Sequence, residues 1–186
     1  MVSFEFLAII LTGLGLTASI IYYTSVLINA NKTRKSQLTM NFYTHVTDIN
    51  FWKPWTYVIH YYHFTTFQEW DEKYGPTTNP DAAANFFTVM QIFVGAGTLL
   101  KEGVIEPKLL FKYLPTTTIR TSWEKYELWI AGIRTAYNDP EFGDMFEYLY
   151  TEAARLYPDV KNPRMDNPER KPSLIKLPDD FNGTQL

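Results

Sequence analysis

The chain contains no cysteine, so disulfides, thiolate nucleophiles and cysteine-ligated metals are all excluded. Acid and base are nearly balanced, with 17 Lys and Arg against 20 Asp and Glu and a formal net charge of −3, which gives no electrostatic case for a nucleic-acid partner. No Gly-rich phosphate loop, Walker motif or nucleophile elbow is present. There are three histidines, and none belongs to a Glu-x-x-His or His-Glu-x-x-His pattern. Sustained apolar–polar alternation, the mark of half-buried strands, is also missing; the alternation in 57–65 is better explained by aromatic crowding.

Charge is missing most conspicuously from Phe6 to Ile28, an apolar run of roughly 23 residues preceded by a single charge, Glu5. At about 1.5 Å per residue this run crosses a hydrocarbon core of about 30 Å with some tilt. A cleaved secretory signal would need a basic n-region, a shorter apolar stretch and a small-residue cleavage site. None of these is present, so the run reads as a retained signal-anchor. Lys32, Arg34 and Lys35 follow directly and would set topology, since positive charge near a membrane helix stays cytoplasmic. The expected localisation is the cell membrane, single-pass, with the N-terminus outside and the C-terminal domain in the cytoplasm. On that topology the Asn182-Gly183-Thr184 glycosylation pattern faces the wrong compartment. Ala8, Thr12, Gly15 and Ser19 recur at steps of four, three and four and line one helix face with small side chains, the kind of face through which membrane helices associate.

No Pro or Gly occurs between Leu16 and Lys53, and Leu38, Phe42, Val46 and Ile49 keep helical spacing. The anchor therefore continues as a stalk to about Asp48, roughly 65 Å in all at about 1.5 Å per residue. Next comes an aromatic-rich stretch, Phe51 to Tyr74, read as two helical pieces with Pro54 in the first turn of one. Its Trp and Tyr would suit a membrane surface, but it lacks a basic amphipathic face, which favours core packing. Asn79-Pro80-Asp81 reads as N-cap, first-position proline and acidic first turn. The helix it starts, to about Glu102, is apolar enough to be weighed as a second span. Asn85, Gln91, Gly95 and Gly97 argue instead for a buried central helix, closed by Gly103. Further helices are expected from Pro107 to Leu114, from Pro115 to about Tyr137, and after an Asn138-Asp139-Pro140 start to about Tyr157. From Pro158 five prolines stand among polar residues in a segment without periodicity.

The fold class is thus all-α: one N-terminal transmembrane helix extended into a stalk, a small bundle of about five helices, and a Pro-rich C-terminal tail. The boundaries are 1–30 for the anchor, 31–49 for the stalk, 50–157 for the helical domain and 158–186 for the tail.

The stretches LTASIIYYTSVLINANKTRKSQL, FFTVMQIFVGAGTLLKEGVIEP, WEKYELWI and NDPEFGDMFEYLY, with the FW dipeptide at 51–52, resemble an uncharacterised, largely archaeal prokaryotic family of short membrane-anchored helical proteins, a domain of unknown function. The similarity runs over roughly Phe6 to Leu156. It implies the anchor-plus-helical-domain architecture, and carries no activity, cofactor or catalytic residue.

Two chemical sites can be weighed. His60 and His63, three apart, would share a face if 58–64 were helical, and with His45, Glu69, Asp71 or Glu72 could hold a metal. Glu141, Asp144 and Glu147 could share a helix face, where a solvated acidic surface is the simpler account. The sequence favours a non-enzymatic membrane protein, without cofactor, whose partners are the bilayer and either itself or a larger membrane complex. A tethered metal-binding domain or enzyme using His60 and His63, and surface sensing by 51–74, are the alternatives.

Overall fold

The computed structural model describes residues 3–160. Those residues form seven helices and no strand: α1 (Phe4–Thr47), α2 (Ile49–His60), α3 (Phe67–Tyr74), α4 (Pro80–Lys101), α5 (Pro107–Tyr113), α6 (Thr116–Tyr137) and α7 (Asp144–Leu156). The all-α expectation holds, with six helices after α1 rather than about five. The segment 161–186, which carries most of the expected tail and the Asn182 pattern, lies outside the described residues.

The chain divides into two compact units, 1–41 and 42–186. The first is the body of α1, in which every residue from Ser3 to Leu38 is exposed. The second begins eight residues before the expected position 50. Phe42 and Val46, on the last turns of α1, are buried in its core. They are two members of the spaced series Leu38, Phe42, Val46, Ile49; Ile49 is 69 % exposed.

Local chemistry explains the element ends. Asp48 interrupts the helix with an extended backbone, and its carboxylate accepts the Asn50 N–H at 2.7 Å. α2 therefore starts at Ile49, and Pro54 lies inside it rather than in its first turn. The ring leaves the Asn50 carbonyl without its usual i+4 donor. Asn79 caps α4 as expected, accepting the Ala82 N–H at 3.0 Å, with Pro80 at the first position. At the far end Gly103 takes φ 60°. The N–H groups of Gly103 and Val104 donate to Leu100 O at 3.1 Å and Leu99 O at 2.9 Å, a Schellman closure. Pro115 occupies the N-cap of α6, one place before the opening position assigned to it.

Asn138 behaves differently from the sequence reading. It closes α6 in the left-handed region (φ 52°) instead of opening the next helix. Asp139 then turns the chain by accepting the Glu141 N–H at 3.2 Å, and α7 starts only at Asp144, after Gly143 at φ 80°.

α4 is the central helix, packed against α2, α3, α5 and α7. Its apolar composition is accounted for by the burial of Ala82, Ala83, Phe86, Val89, Met90, Phe93, Ala96, Gly97 and Leu100. The aromatic stretch 51–74 packs on this helix or beside it. Phe51 and Trp70 are buried, and Trp52, Trp55, Tyr62, Phe64, Phe67 and Tyr74 pack partly buried against the core. Phe86, fully buried, is surrounded by the rings of Tyr62, Phe64, Trp70, Tyr126 and Trp129 at centroid distances of 5.4–5.8 Å. Phe93 stacks on Phe146 of α7 at 4.5 Å and 8°. Such aromatic pairs add roughly 0.5–1.5 kcal/mol each beyond the area they bury.

Candidate functional site

The apolar run of α1 is the feature with most exposed chemistry. Its large side chains, from Phe4 through Leu27 and Ile28, are all exposed. Four of its hydroxyls bond back into the helix. Thr12 donates to Ala8 O at 2.9 Å, Thr17 to Gly13 O at 2.9 Å, Ser19 to Gly15 O at 2.8 Å and Ser25 to Ile21 O at 2.9 Å. A helix in hydrocarbon must satisfy its polar groups internally, and these back-bonds do so for Thr12, Thr17, Ser19 and Ser25. The N-terminal helix is long and apolar enough to span a membrane. α4 passes the same test of length and composition while supplying much of the domain's buried core.

Ala8, Thr12, Gly15 and Ser19 fall within an arc of about 60° on α1, at about 100° per residue. A Cβ added at Gly13 or Gly15 would meet nothing within 4 Å. Lys32, Arg34 and Lys35 are exposed on the same helix, the first of them one turn beyond Ile28.

The histidine pair is not brought onto one face. α2 ends at His60, and His63 lies three residues further on in a non-helical connection, where its backbone N–H donates to the Tyr74 hydroxyl at 3.2 Å. The conditional helix over 58–64 fails because the chain turns at Tyr61 to bring Tyr62 and Phe64 against Phe86. Among the described residues no group of three or more His, Asp or Glu side chains is arranged to hold a metal ion. The carboxylates at 144 and 147 pair instead with Arg134 of α6, whose Nη2 lies 3.7 Å from Asp144 and 2.8 Å from Glu147, while its Nε donates to Phe142 O at 2.8 Å. This pairing fastens the 139–143 turn to α6 and is structural.

Three polar arrangements lie outside the sites singled out from the sequence, although the third has the Thr-x-x-Glu and i,i+4 Glu–Lys spacings from which it could have been read. The Lys125 ammonium of α6 donates to Tyr62 O and sits 4.6 Å from the centre of the Phe64 ring, while Asn85 donates to the Tyr62 hydroxyl at 3.0 Å. Burial, as the largest influence, pushes the Tyr62 phenol above its usual range. Together these contacts pin the α2–α3 connection to α4 and α6. Secondly, the Arg120 guanidinium donates to Tyr157 O at 2.6 Å and to Val160 O, holding the chain as it leaves α7, where the Tyr157 ring meets Phe111 edge-on at 5.5 Å. The third is at α3. Thr66 caps the helix by accepting the Glu69 N–H at 3.1 Å, and Glu69 reaches back to the Thr65 N–H at 2.7 Å and hydroxyl at 2.8 Å. Lys73 approaches Glu69 at 2.6 Å, and its ammonium, then the Thr65 donors, hold the carboxyl at about 2. Deep in the core, Tyr126 donates its hydroxyl to Phe86 O at 2.9 Å, and burial raises its phenol well above the ordinary value.

Comparison with the curated proteins and with the solved structures yields no match. The family model described as "Domain of unknown function (DUF4760)" matches residues 5–153, a stretch that takes in α1 and nearly all of the helical domain. The chain belongs to that family.

Proposed function

We propose that this protein is a single-span membrane protein that holds its helical domain at the cytoplasmic face for association with a second copy or with a larger membrane complex. The observation that carries the reading is the apolar run of α1, exposed along its whole length and with the hydroxyls of Thr12, Thr17, Ser19 and Ser25 bonded back into the helix. That arrangement is stable in lipid and costly in water. The charges after Ile28 support the stated orientation. The face of Ala8, Thr12, Gly15 and Ser19 supports association through the span, because small side chains let two membrane helices approach closely.

The test exploits the absence of native cysteine. Ser19→Cys and Ile21→Cys differ by about 200° around the helix. In native membranes the protein should resist alkaline extraction, and oxidation should convert the Ser19→Cys variant, and not the Ile21→Cys variant, to a disulfide-linked dimer. Extraction into the soluble fraction would refute the span. Equal crosslinking of the two variants would refute the face.

A further inference from the structure

Between Phe6 and Thr47 the only Lys, Arg, Asp or Glu residues are Lys32, Arg34 and Lys35, all basic. The chain as a whole carries 17 basic and 20 acidic side chains, so the remainder holds 14 basic against 20 acidic. The charge is therefore segregated: three cations beside the apolar run, and a net deficit of six elsewhere. We infer that Lys32, Arg34 and Lys35 form a recognition site for anionic phospholipid headgroups at the end of the span. This inference rests on the membrane-span reading proposed above.

Position supports it first. Lys32 lies about 6 Å and Lys35 about 10 Å beyond Ile28 at about 1.5 Å per residue. The headgroup layer on each side of the hydrocarbon is roughly 5–8 Å deep, and the field of an anionic leaflet extends about one Debye length, ~8 Å, past it. All three side chains are exposed on an intact helix, so their ammonium and guanidinium groups stand in that layer.

Distribution supports it next. At about 100° per residue the three cations cover an arc of about 160°, too broad for the seam of one partner helix and suited to a ring of lipid. The centre of that arc lies roughly 150° from the centre of the small-residue face. A dimer built through Ala8, Thr12, Gly15 and Ser19 would then turn its cations outward to the lipid instead of against one another. The span and the following two turns contain no Asp or Glu of their own. The acidic remainder of the chain would be repelled by the same surface, so the three cations supply the local attraction.

The experiment uses the full chain with a single cysteine, Ser36→Cys, carrying a fluorescent donor and reconstituted in phosphatidylcholine vesicles containing a trace of acceptor-labelled lipid. At low salt, energy transfer to acceptor-labelled phosphatidylglycerol should exceed transfer to acceptor-labelled phosphatidylcholine, with local enrichment falling by up to about fivefold for each cation removed. The difference should shrink in high salt and vanish in the Lys32→Gln/Arg34→Gln/Lys35→Gln variant. It should survive in Lys101→Gln/Lys108→Gln/Lys112→Gln, which removes the same charge from the domain. Inorganic phosphate should weaken it no more than chloride of equal ionic strength. Equal transfer to both lipids, or an excess that persists in the first triple variant, would overturn the inference. Alkaline extraction of the same vesicles separates the two failures: loss of the protein refutes the span itself, while retention with equal transfer refutes only the lipid site.

Discussion

Gly95 and Gly97 sit two residues apart on α4 and should respond in opposite directions to the same added methyl group. A Cβ at Gly97 would lie 1.9 Å from the backbone oxygen and 2.7 Å from the carbonyl carbon of Met145 on α7. Neither atom can swing aside as a side chain would. Ordinary contact begins at 3.4 Å, so α7 would have to retreat by 1.5 Å. That retreat opens the interface holding the Phe93–Phe146 stack at 4.5 Å. Overpacking of this kind costs about 1–3 kcal/mol, and an immovable backbone puts Gly97→Ala near the upper end. The better helix propensity of Ala returns about 1 kcal/mol, for a net loss of about 2 kcal/mol. At Gly95 the added Cβ meets nothing within 4 Å, so Gly95→Ala should gain about 1 kcal/mol. Urea unfolding of the detergent-solubilised full chain, followed by far-UV circular dichroism, should separate the two midpoints by an amount equivalent to about 3 kcal/mol, with the wild type between them. A Gly97→Ala protein as stable as wild type would show that α4 and α7 do not approach as closely as described.

Asn79→Ala removes the acceptor for the Ala82 N–H and should cost about 1 kcal/mol in the same assay, with Asn79→Asp close to neutral. Phe86→Ala empties the centre of the aromatic core and should cost about 3–5 kcal/mol, with exchange protection lost across α3, α4 and α6 together. The Glu69 carboxyl is held at about 2 when folded against an ordinary 4.5, so it stabilises α3 fully above pH 4.5 and loses that contribution as the pH falls towards 2. A carboxyl-carbon titration by NMR should place its midpoint near 2, moving up in Lys73→Gln; a midpoint near 4.5 in the wild type would refute the Lys73 and Thr65 contacts. Arg120→Gln should speed amide exchange at Tyr157, Asp159 and Val160 while leaving α4 unchanged, because the guanidinium is the group that grips Tyr157 O and Val160 O.

What could be read in advance was local chemistry. Asn79, Pro80 and Gly103 act within one turn of their own positions, so their roles follow from residue type and spacing. Asn138 shows the limit. Asn is both a good N-cap and the non-glycine residue most at ease in the left-handed region, and its neighbours decide which use prevails. Pro80 follows Asn79 directly, where it is the first helical residue. Pro140 stands two places after Asn138, which leaves room for α6 to close before the turn. Pro54 was misplaced because Asp48, not the proline, starts α2. The aromatic crowding of 51–74 was visible, and core packing was the better account of it. The identity of Phe86 as the ring on which Tyr62, Phe64 and Trp70 converge was not, since that depends on contacts 16 to 24 residues apart in sequence. For the same reason the His60 and His63 pair looked like a helix face: the turn at Tyr61 that separates them is imposed by tertiary packing of its neighbours.

The placement of tryptophan has an optical consequence. All five, at 52, 55, 70, 123 and 129, lie in the second unit, and α1 has none. Tryptophan emission, excited selectively at wavelengths where tyrosine does not absorb, therefore reports the helical domain alone, whatever surrounds the N-terminal helix. Trp70 and Trp129 stand 5.4 Å apart with their planes at 66°, close and inclined enough for their transitions to couple, giving a paired band in circular dichroism. That band joins α3 to α6 and should vanish as soon as the two helices part, before the helices themselves unwind.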